Sequence, residues 1–211
     1  MNKKLVFLAV LVSLLALVFG SCSKKDGSGG GGSVGRASPV SDFLYELVEA
    51  TPEDGGDYVR ITEYTGKGGK VVIPEKIEDY PVGEIGHSAF KGSTYDSTRG
   101  STGGQGDNIT EVVIPGEVFM IGSSAFANCK KLTSVTIQRT YVVIADFVFK
   151  DCENLTTLNI PDKNENPDIG TNVLVPTQNH GITLGQTAFL GCKKLPLKMR
   201  ARLKEMGFME P

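Results

Sequence analysis

Cys129, Cys152 and Cys192 are the residues from which chemistry could start, spaced 23 and 40 positions apart. In an oxidising compartment such thiols can pair as disulfides, hold a metal or act as nucleophiles. Three cannot all pair with one another, and no Cys-x-x-Cys or neighbouring histidine supplies further ligands. The chain's two histidines, His87 and His180, have no recurring Ser/Asp or carboxylate arrangement beside them. The stretch "DKNENPD" (162–168) offers acidic oxygens without the spacing of a calcium loop, so a solvated loop is favoured there. These residues point to no catalytic, cofactor or metal site, and the expectation is that the chain is not an enzyme.

The cysteines follow a different logic, that of a repeat. Ile85-Gly86-His87-Ser88-Ala89-Phe90 recurs as Ile121-Gly122-Ser123-Ser124-Ala125-Phe126. It returns as Ile144-Ala145-Asp146-Phe147-Val148-Phe149 and as Leu184-Gly185-Gln186-Thr187-Ala188-Phe189. In the last three copies a cysteine follows the Phe by three residues and a Leu follows the cysteine by three. A second phrase is attached: Ile109-x-x-Val112-x-Ile114, Leu132-x-x-Val135-x-Ile137 and Leu155-x-x-Leu158-x-Ile160, the strand signature L-x-x-L-x-L with β-branched substitutions. Ile121 and Ile144 are 23 residues apart, and removing insertions of 13 and 17 residues brings the other two intervals to 23 as well. One such unit cannot bury its apolar side alone, whereas a stack of units can. Stacking would line Phe90, Phe126, Phe149 and Phe189 into a buried aromatic column, with the three cysteines as inert buried thiols beside it.

The composite pattern "IGxxAFxxCxxLxxVxIP" resembles the BspA-like, Treponema-type leucine-rich repeats of bacterial cell surfaces, over roughly residues 58–195. The third copy departs from it, with Ala145 for Gly and Val148 for Ala. The resemblance implies a leucine-rich-repeat solenoid: a right-handed superhelix of α/β type, strand-rich with short helical turns. It would contain about four repeats of 23 residues with two insertions. Open apolar ends need caps. Residues 41–64 read as a capping hairpin around "TPEDGG", with a helix from Asp42 as the rival, and 65–195 hold the repeats. Residues 196–211 read as a capping helix opened by Pro196, with Leu197, Leu203 and Met206 on its apolar face and Gly207 ending it.

The remaining segments concern placement in the cell. Asn2-Lys3-Lys4 precedes an apolar run from Leu5 to Phe19, too short for a spanning helix. Residues 1–21 read as a signal peptide, and the small residues before Cys22 resemble a bacterial lipobox. Lipid attachment at Cys22 is favoured over ordinary cleavage that leaves the thiol free. Residues 22–40, with "SKKDGSGGGGSVGRAS", form a Gly/Ser-rich flexible tether. Ser23, by resemblance to Gram-negative lipoproteins, implies outer-membrane sorting and surface exposure. The net charge of −2, from 22 basic and 24 acidic residues, gives no polybasic face for nucleic acid. In the first insertion Asp96-Ser97-Thr98 matches a short motif that some Gram-negative bacteria O-glycosylate, marking Ser97 as a candidate against an undecorated loop.

Two surfaces are candidates for a partner. Outward positions of the strands, Glu111, Val113, Ser134, Thr136, Gln138, Thr157 and Asn159, would form an open sheet face. Soluble strand formers with no ligand would read the same way. Phe119, Tyr141 and Val142 sit just before the Ile-Gly steps, where the family usually has Thr or Ser. They would form an apolar stripe, unless the second insertion (about 162–183) folds over it. The expected function is a lipid-anchored surface protein binding a protein or glycoconjugate on a host or neighbouring cell. A structural role in the cell envelope is the alternative.

Overall fold

The computed structural model describes residues 36–50, 56–96, 100–102, 104–161 and 182–209. The signal peptide, most of the tether, and residues 162–181 of the second insertion lie outside the described residues. In chain order the strands are β1 (Phe43–Val48), β2 (Tyr58–Tyr64), β3 (Gly69–Val72), β4 (Lys76–Ile77), β5 (Tyr80–Ile85), β6 (Thr94–Asp96) and β7 (Gly100–Thr102). They continue as β8 (Ile109–Ile114), β9 (Met120–Ile121), β10 (Ser134–Ile137), β11 (Val143–Ile144), β12 (Thr157–Asn159) and β13 (Thr183–Leu184), followed by one helix, α1 (Leu197–Glu205).

The L-x-x-L-x-L phrases pair as one parallel sheet in the order β12-β10-β8-β3, and the Ile-Gly steps form the opposite sheet, β1-β2-β5-β9-β11-β13, with β4 hairpinned onto β5. Val135 pairs with Val112 on one side and Leu158 on the other, 23 residues away each time. Ile121 pairs with Ile144 at the same interval, while Ile85–Ile121 and Ile144–Leu184 pair across the two insertions without slipping. The leucine-rich-repeat fold read from the sequence is therefore present, with two short strands per turn rather than one.

Between these strands the chain makes tight turns whose N–H groups alternate in direction. Ala125, Ala127 and Cys129 donate back three residues within their own turn, to Gly122, Ser124 and Phe126. Ser124, Phe126 and Asn128 donate instead to Asp146, Val148 and Lys150 of the next turn. Every second peptide is thus handed across the stack, so the backbone of a buried segment stays paired. Left-handed residues recur at two columns, Ser88, Ser124 and Phe147 in one and Asn128, Asp151 and Gly191 in the other, while the corresponding Thr187 and Gly92 do without. Asn, Asp and Gly are the types that adopt this conformation at least cost. The repeated glycines serve another need. Gly86, Gly122 and Gly185 have no positive φ, but a Cβ on each would lie 2.6–2.8 Å from backbone of the preceding turn. Where Ala145 replaces glycine, its N–H donates to Ile121 over 3.0 Å, against 2.7 Å at Gly122 and Gly185. The stack opens slightly to hold a methyl group.

The core is the aromatic column the repeat implies. Phe90, Phe126, Phe149 and Phe189 stack with centroids 4.7, 5.4 and 5.1 Å apart. Tyr64 stacks on Phe90 at 5.2 Å with Phe43 tilted beside it at 6.2 Å, and Phe208 closes the far end edge-on to Phe189. At the front, β1 pairs antiparallel with β2, and the only helical piece near Asp42 is a 3-10 turn at Val40–Asp42. At the rear, α1 buries Leu203 and packs Met199 and Met206 against the core. Leu197, expected on that apolar face, is instead 85% exposed. It opens the first turn, off the 199/203/206 stripe. The helix ends in a Schellman arrangement: Phe208 N–H donates to Leu203, Gly207 N–H to Lys204, and Gly207 has φ +103°.

Phe126→Ala is expected to cost about 3–5 kcal/mol, since it removes a ring stacked on both sides and leaves a cavity. A urea unfolding series reads this directly. Phe147→Gly is expected to act in the opposite sense. Its φ of +61° strains a bulky side chain that stays well exposed. Relieving that strain should stabilise the chain by about 1 kcal/mol, read as a higher urea midpoint.

Candidate interaction surface

Because strand side chains alternate, the register of the L-x-x-L-x-L sheet sorts its residues into rows. Val112, Val135 and Leu158 point inward and are buried. Outward, one row runs Lys70, Glu111, Ser134, Thr157 and the next runs Val72, Val113, Thr136, Asn159. Lys70 Nζ lies 2.9 Å from Glu111 Oε1, and Asn159 Nδ2 donates to Thr136 Oγ1 over 3.2 Å. A parallel file of threonines edges the face, with Thr133 Oγ1 donating to the Thr110 carbonyl and Thr156 Oγ1 to that of Thr133. Gln138 is exposed at the strand end, its N–H bonded to Ile114. The face is largely polar, and its rows are held in register by the ladder.

Val113 does not belong to an open face. It and its register partner Val72 are each 6% exposed. Two β-branched side chains side by side shield each other, and the incoming chain crosses this edge, with Ser38 N–H on the Val72 carbonyl and Val72 N–H on Ser38 Oγ. The apolar stripe is also largely closed. Val142 is 2% exposed and part of the core. Phe119 is half-buried, edge-on to the Tyr58 ring at 5.0 Å. Gly83 makes room for this pair, since a Cβ there would meet both rings. Tyr141 is half-buried in a loop pinned by Arg139, which donates to the carbonyls of Tyr141 and Gly116. Cys22, Ser97, His180 and the stretch 162–168 lie outside the described residues, as does any cover the second insertion would supply.

The thiols form a ladder of their own. Cys129 donates to the Phe90 carbonyl, Cys152 to Phe126 and Cys192 to Phe149, each over 3.1 Å. A weak donor of small volume suits a core position that faces a carbonyl of the preceding turn. The neighbouring Cys129 thiol and burial push the Cys152 thiol well up, and burial pushes Cys192 up. His87 is exposed, its Nε2 3.1 Å from Ser88 Oγ.

Sequence reasoning missed the charged group on the outer face of the other sheet. Arg60, Glu84, Met120, Val143 and Thr183 share one row. Glu84 is only 9% exposed, and Arg60 bridges it at 2.8 Å and Glu46 at 2.7 Å. The signal was a Glu in a column otherwise filled by Met, Val and Thr; its counter-ion appears only once β2 is aligned as a further turn.

Residues 104–195 match the family model described as "BspA type Leucine rich repeat region (6 copies)". The chain carries a BspA-type leucine-rich repeat region. Among solved structures, a leucine rich cell surface protein from Faecalibacterium prausnitzii A2-165 is 26% identical with a TM-score of 0.48. That match covers 77% of this chain and 36% of the other, so the chain spans about a third of that protein's length. A leucine-rich repeat protein from Bacteroides capillosus ATCC 29799 is 23% identical over 72% of this chain and 96% of its own, with a TM-score of 0.46. The T. pallidum leucine rich repeat protein is 21% identical over 83% of this chain and 98% of its own, at 0.36. No curated protein matches the chain. No helix among the described residues is long and apolar enough to cross a membrane.

Iodoacetamide at neutral pH is expected to leave Cys129, Cys152 and Cys192 untouched in the native chain and to modify all three in denaturant, as read by intact mass. Cys152 and Cys192 titrate higher folded than unfolded. Their contribution to stability is therefore complete below the unfolded thiol value of about 8.5 and is lost as pH rises past it. The urea midpoint should accordingly fall from about pH 8 to about pH 10.

Proposed function

We propose that this BspA-type repeat region is displayed at the bacterial surface, tethered by a lipid on Cys22. There it binds a protein or glycoconjugate of a host or neighbouring cell through the outer face of its L-x-x-L-x-L sheet. The observation that carries the reading is the pair of outward rows, in which Glu111, Ser134, Thr136, Thr157 and Asn159 are held in register by the ladder. Rows of this kind spread polar groups over a broad flat surface. Catalysis needs them to converge, and we therefore favour binding over enzymatic activity. Repeat solenoids commonly use such open faces to engage large partners, and the resemblance to surface-displayed repeats favours an outward position. The Gly/Ser stretch after Cys22 would keep the solenoid clear of the bilayer. The apolar stripe contributes little to this reading, because Val142 is core and Phe119 is covered by Tyr58.

Cys22→Ala is expected to abolish radiolabelled palmitate incorporation and release the chain from the membrane fraction. Protease applied to intact cells should remove the wild-type chain. Pull-downs should recover host matrix proteins rather than the cell's own envelope proteins, and Thr136→Arg with Thr157→Arg should weaken that capture at least tenfold without lowering the urea midpoint. Recovery of envelope proteins alone would favour a structural role.

A further inference from the structure

The repeat is broken at one well-described place. In the later turns the chain passes directly from the Phe to the next strand, but after Phe90 it carries 13 extra residues. The root of this insertion is tightly closed. Ser93 N–H donates to Asp107 Oδ1 over 2.7 Å, Ser93 Oγ bonds Asp107 Oδ2, and Gly104 N–H donates to Ser93 Oγ over 2.9 Å. Gly92 N–H reaches the Ala127 carbonyl of the next turn, and Gly106 N–H the Lys91 carbonyl. A Cβ on Gly104 would collide with the backbone of Gly92 and Ser93, so the two limbs meet with no room for a side chain there, and a Cβ on Gly92 would collide with the Asn128 carbonyl of the next turn.

Between this root and strand β2 lies a cleft of about 370 Å³. It falls in the range of small-molecule sites. Its walls include Thr62 and Glu63 from β2, His87 and Ser88 from the first turn, and Lys91 and Gln105 from the root. Among the described lining residues Ala89 is the only one with an aliphatic side chain, so an apolar peptide side chain would gain little there. Among the described lining residues Glu63 brings a carboxylate and Lys91 an ammonium, so a strongly charged ligand of either sign would meet a like charge. What the walls offer is an interleaved set of an acceptor-only carboxylate, a donor-only ammonium, and hydroxyls and an amide that do both. A sugar hydroxyl, donor and acceptor at once, matches such a set, and the closed root holds the backbone on the Lys91 and Gln105 side in place before a ligand arrives.

We infer that this cleft binds a neutral saccharide, as the terminal one or two rings of a glycan. The inference rests on the binding role proposed above and places the glycan contact at the first insertion, away from the strand face. The test is an array of neutral oligosaccharides ending in galactose, glucose, mannose, fucose or N-acetylglucosamine, probed with the full chain in detergent. At least one should bind saturably. Glu63→Ala and Gln105→Ala, both at exposed positions, should each weaken it at least tenfold with the unfolding midpoint unchanged, while Thr157→Ala on the strand face leaves it intact. Absence of any neutral glycan on the array, or binding indifferent to Glu63 and Gln105, overturns the saccharide site. If enzymatically deglycosylated matrix protein is still captured in that case, the cleft inference fails alone; if no partner of any kind is captured, both readings fail together.

Discussion

The structure depends on a constraint at the scale of one strand spacing. Successive turns must sit about 4.8 Å apart for their backbones to pair, and that spacing is also one that stacked aromatic rings tolerate. Both requirements are met by the same residues. Phe126 donates its N–H to Val148 of the next turn while its ring lies between Phe90 and Phe149. The glycines at the Ile-Gly step keep the backbones near enough for this, and the left-handed residues at positions such as Ser124 and Asn128 turn alternate peptides toward the neighbour. Loosening either element would cost hydrogen bonds and ring contacts together, because one distance controls both.

The same spacing has a different consequence outside the core. Identical apolar residues stacked at this distance attract, whereas identical charges repel. Cys129-Lys130-Lys131-Leu132 and Cys192-Lys193-Lys194-Leu195 repeat one phrase, but the turn between them reads Cys152-Glu153-Asn154-Leu155. Glu153 lies 2.9 Å from Lys130 and 3.8 Å from Lys193, and Asn154 accepts from Lys194. The intervening turn thus separates lysines that would otherwise face lysines. Inside, the stack favours copies; outside, it favours alternation, which leaves the outward rows free to differ.

This division also sets how much was legible in the sequence. The period, the aromatic column and the strand phrases are properties of buried copies, and they could be aligned without coordinates. The 23-residue register across β8, β10 and β12 follows from them. The left-handed columns were written in the Asn128, Asp151 and Gly191 series, but Phe147 in the other column obscured the rule. The surface was harder to read, because exposure at the stack's edge depends on what crosses it. Val113 has the alternation of an outward residue, and only the path of Ser38 past Val72, with the pairing of the two valines, shows why it is closed. Val142 was misjudged for a simpler reason: it stands two residues before Ile144, so ordinary alternation already turns it inward with Ile144 and leaves Val143 between them half-buried.

The two ends of the solenoid solve one problem with different chemistry. A parallel ladder left open would accept further strands, and with them other chains. At the rear the last carbonyls are taken by side chains: Arg202 donates to Ile160 and Pro161, and Arg200 to Leu195, Cys192 and Lys193. Met209 N–H reaches the Gln186 carbonyl beyond β13. At the front the stop is topological. Strand β1 runs antiparallel to β2, so it presents an edge of the wrong direction to another repeat of the same kind. A bulge between Leu44 and Tyr45 twists that edge further. Leu44 and Leu47 remain exposed on β1, yet the strand's reversed direction and its bulge, with Asp42, Glu46 and Glu49 nearby, oppose continuation of the stack. Continuation of the array is therefore opposed at the front by a strand that changes direction and at the rear by arginines that take the carbonyls following β12 and preceding α1.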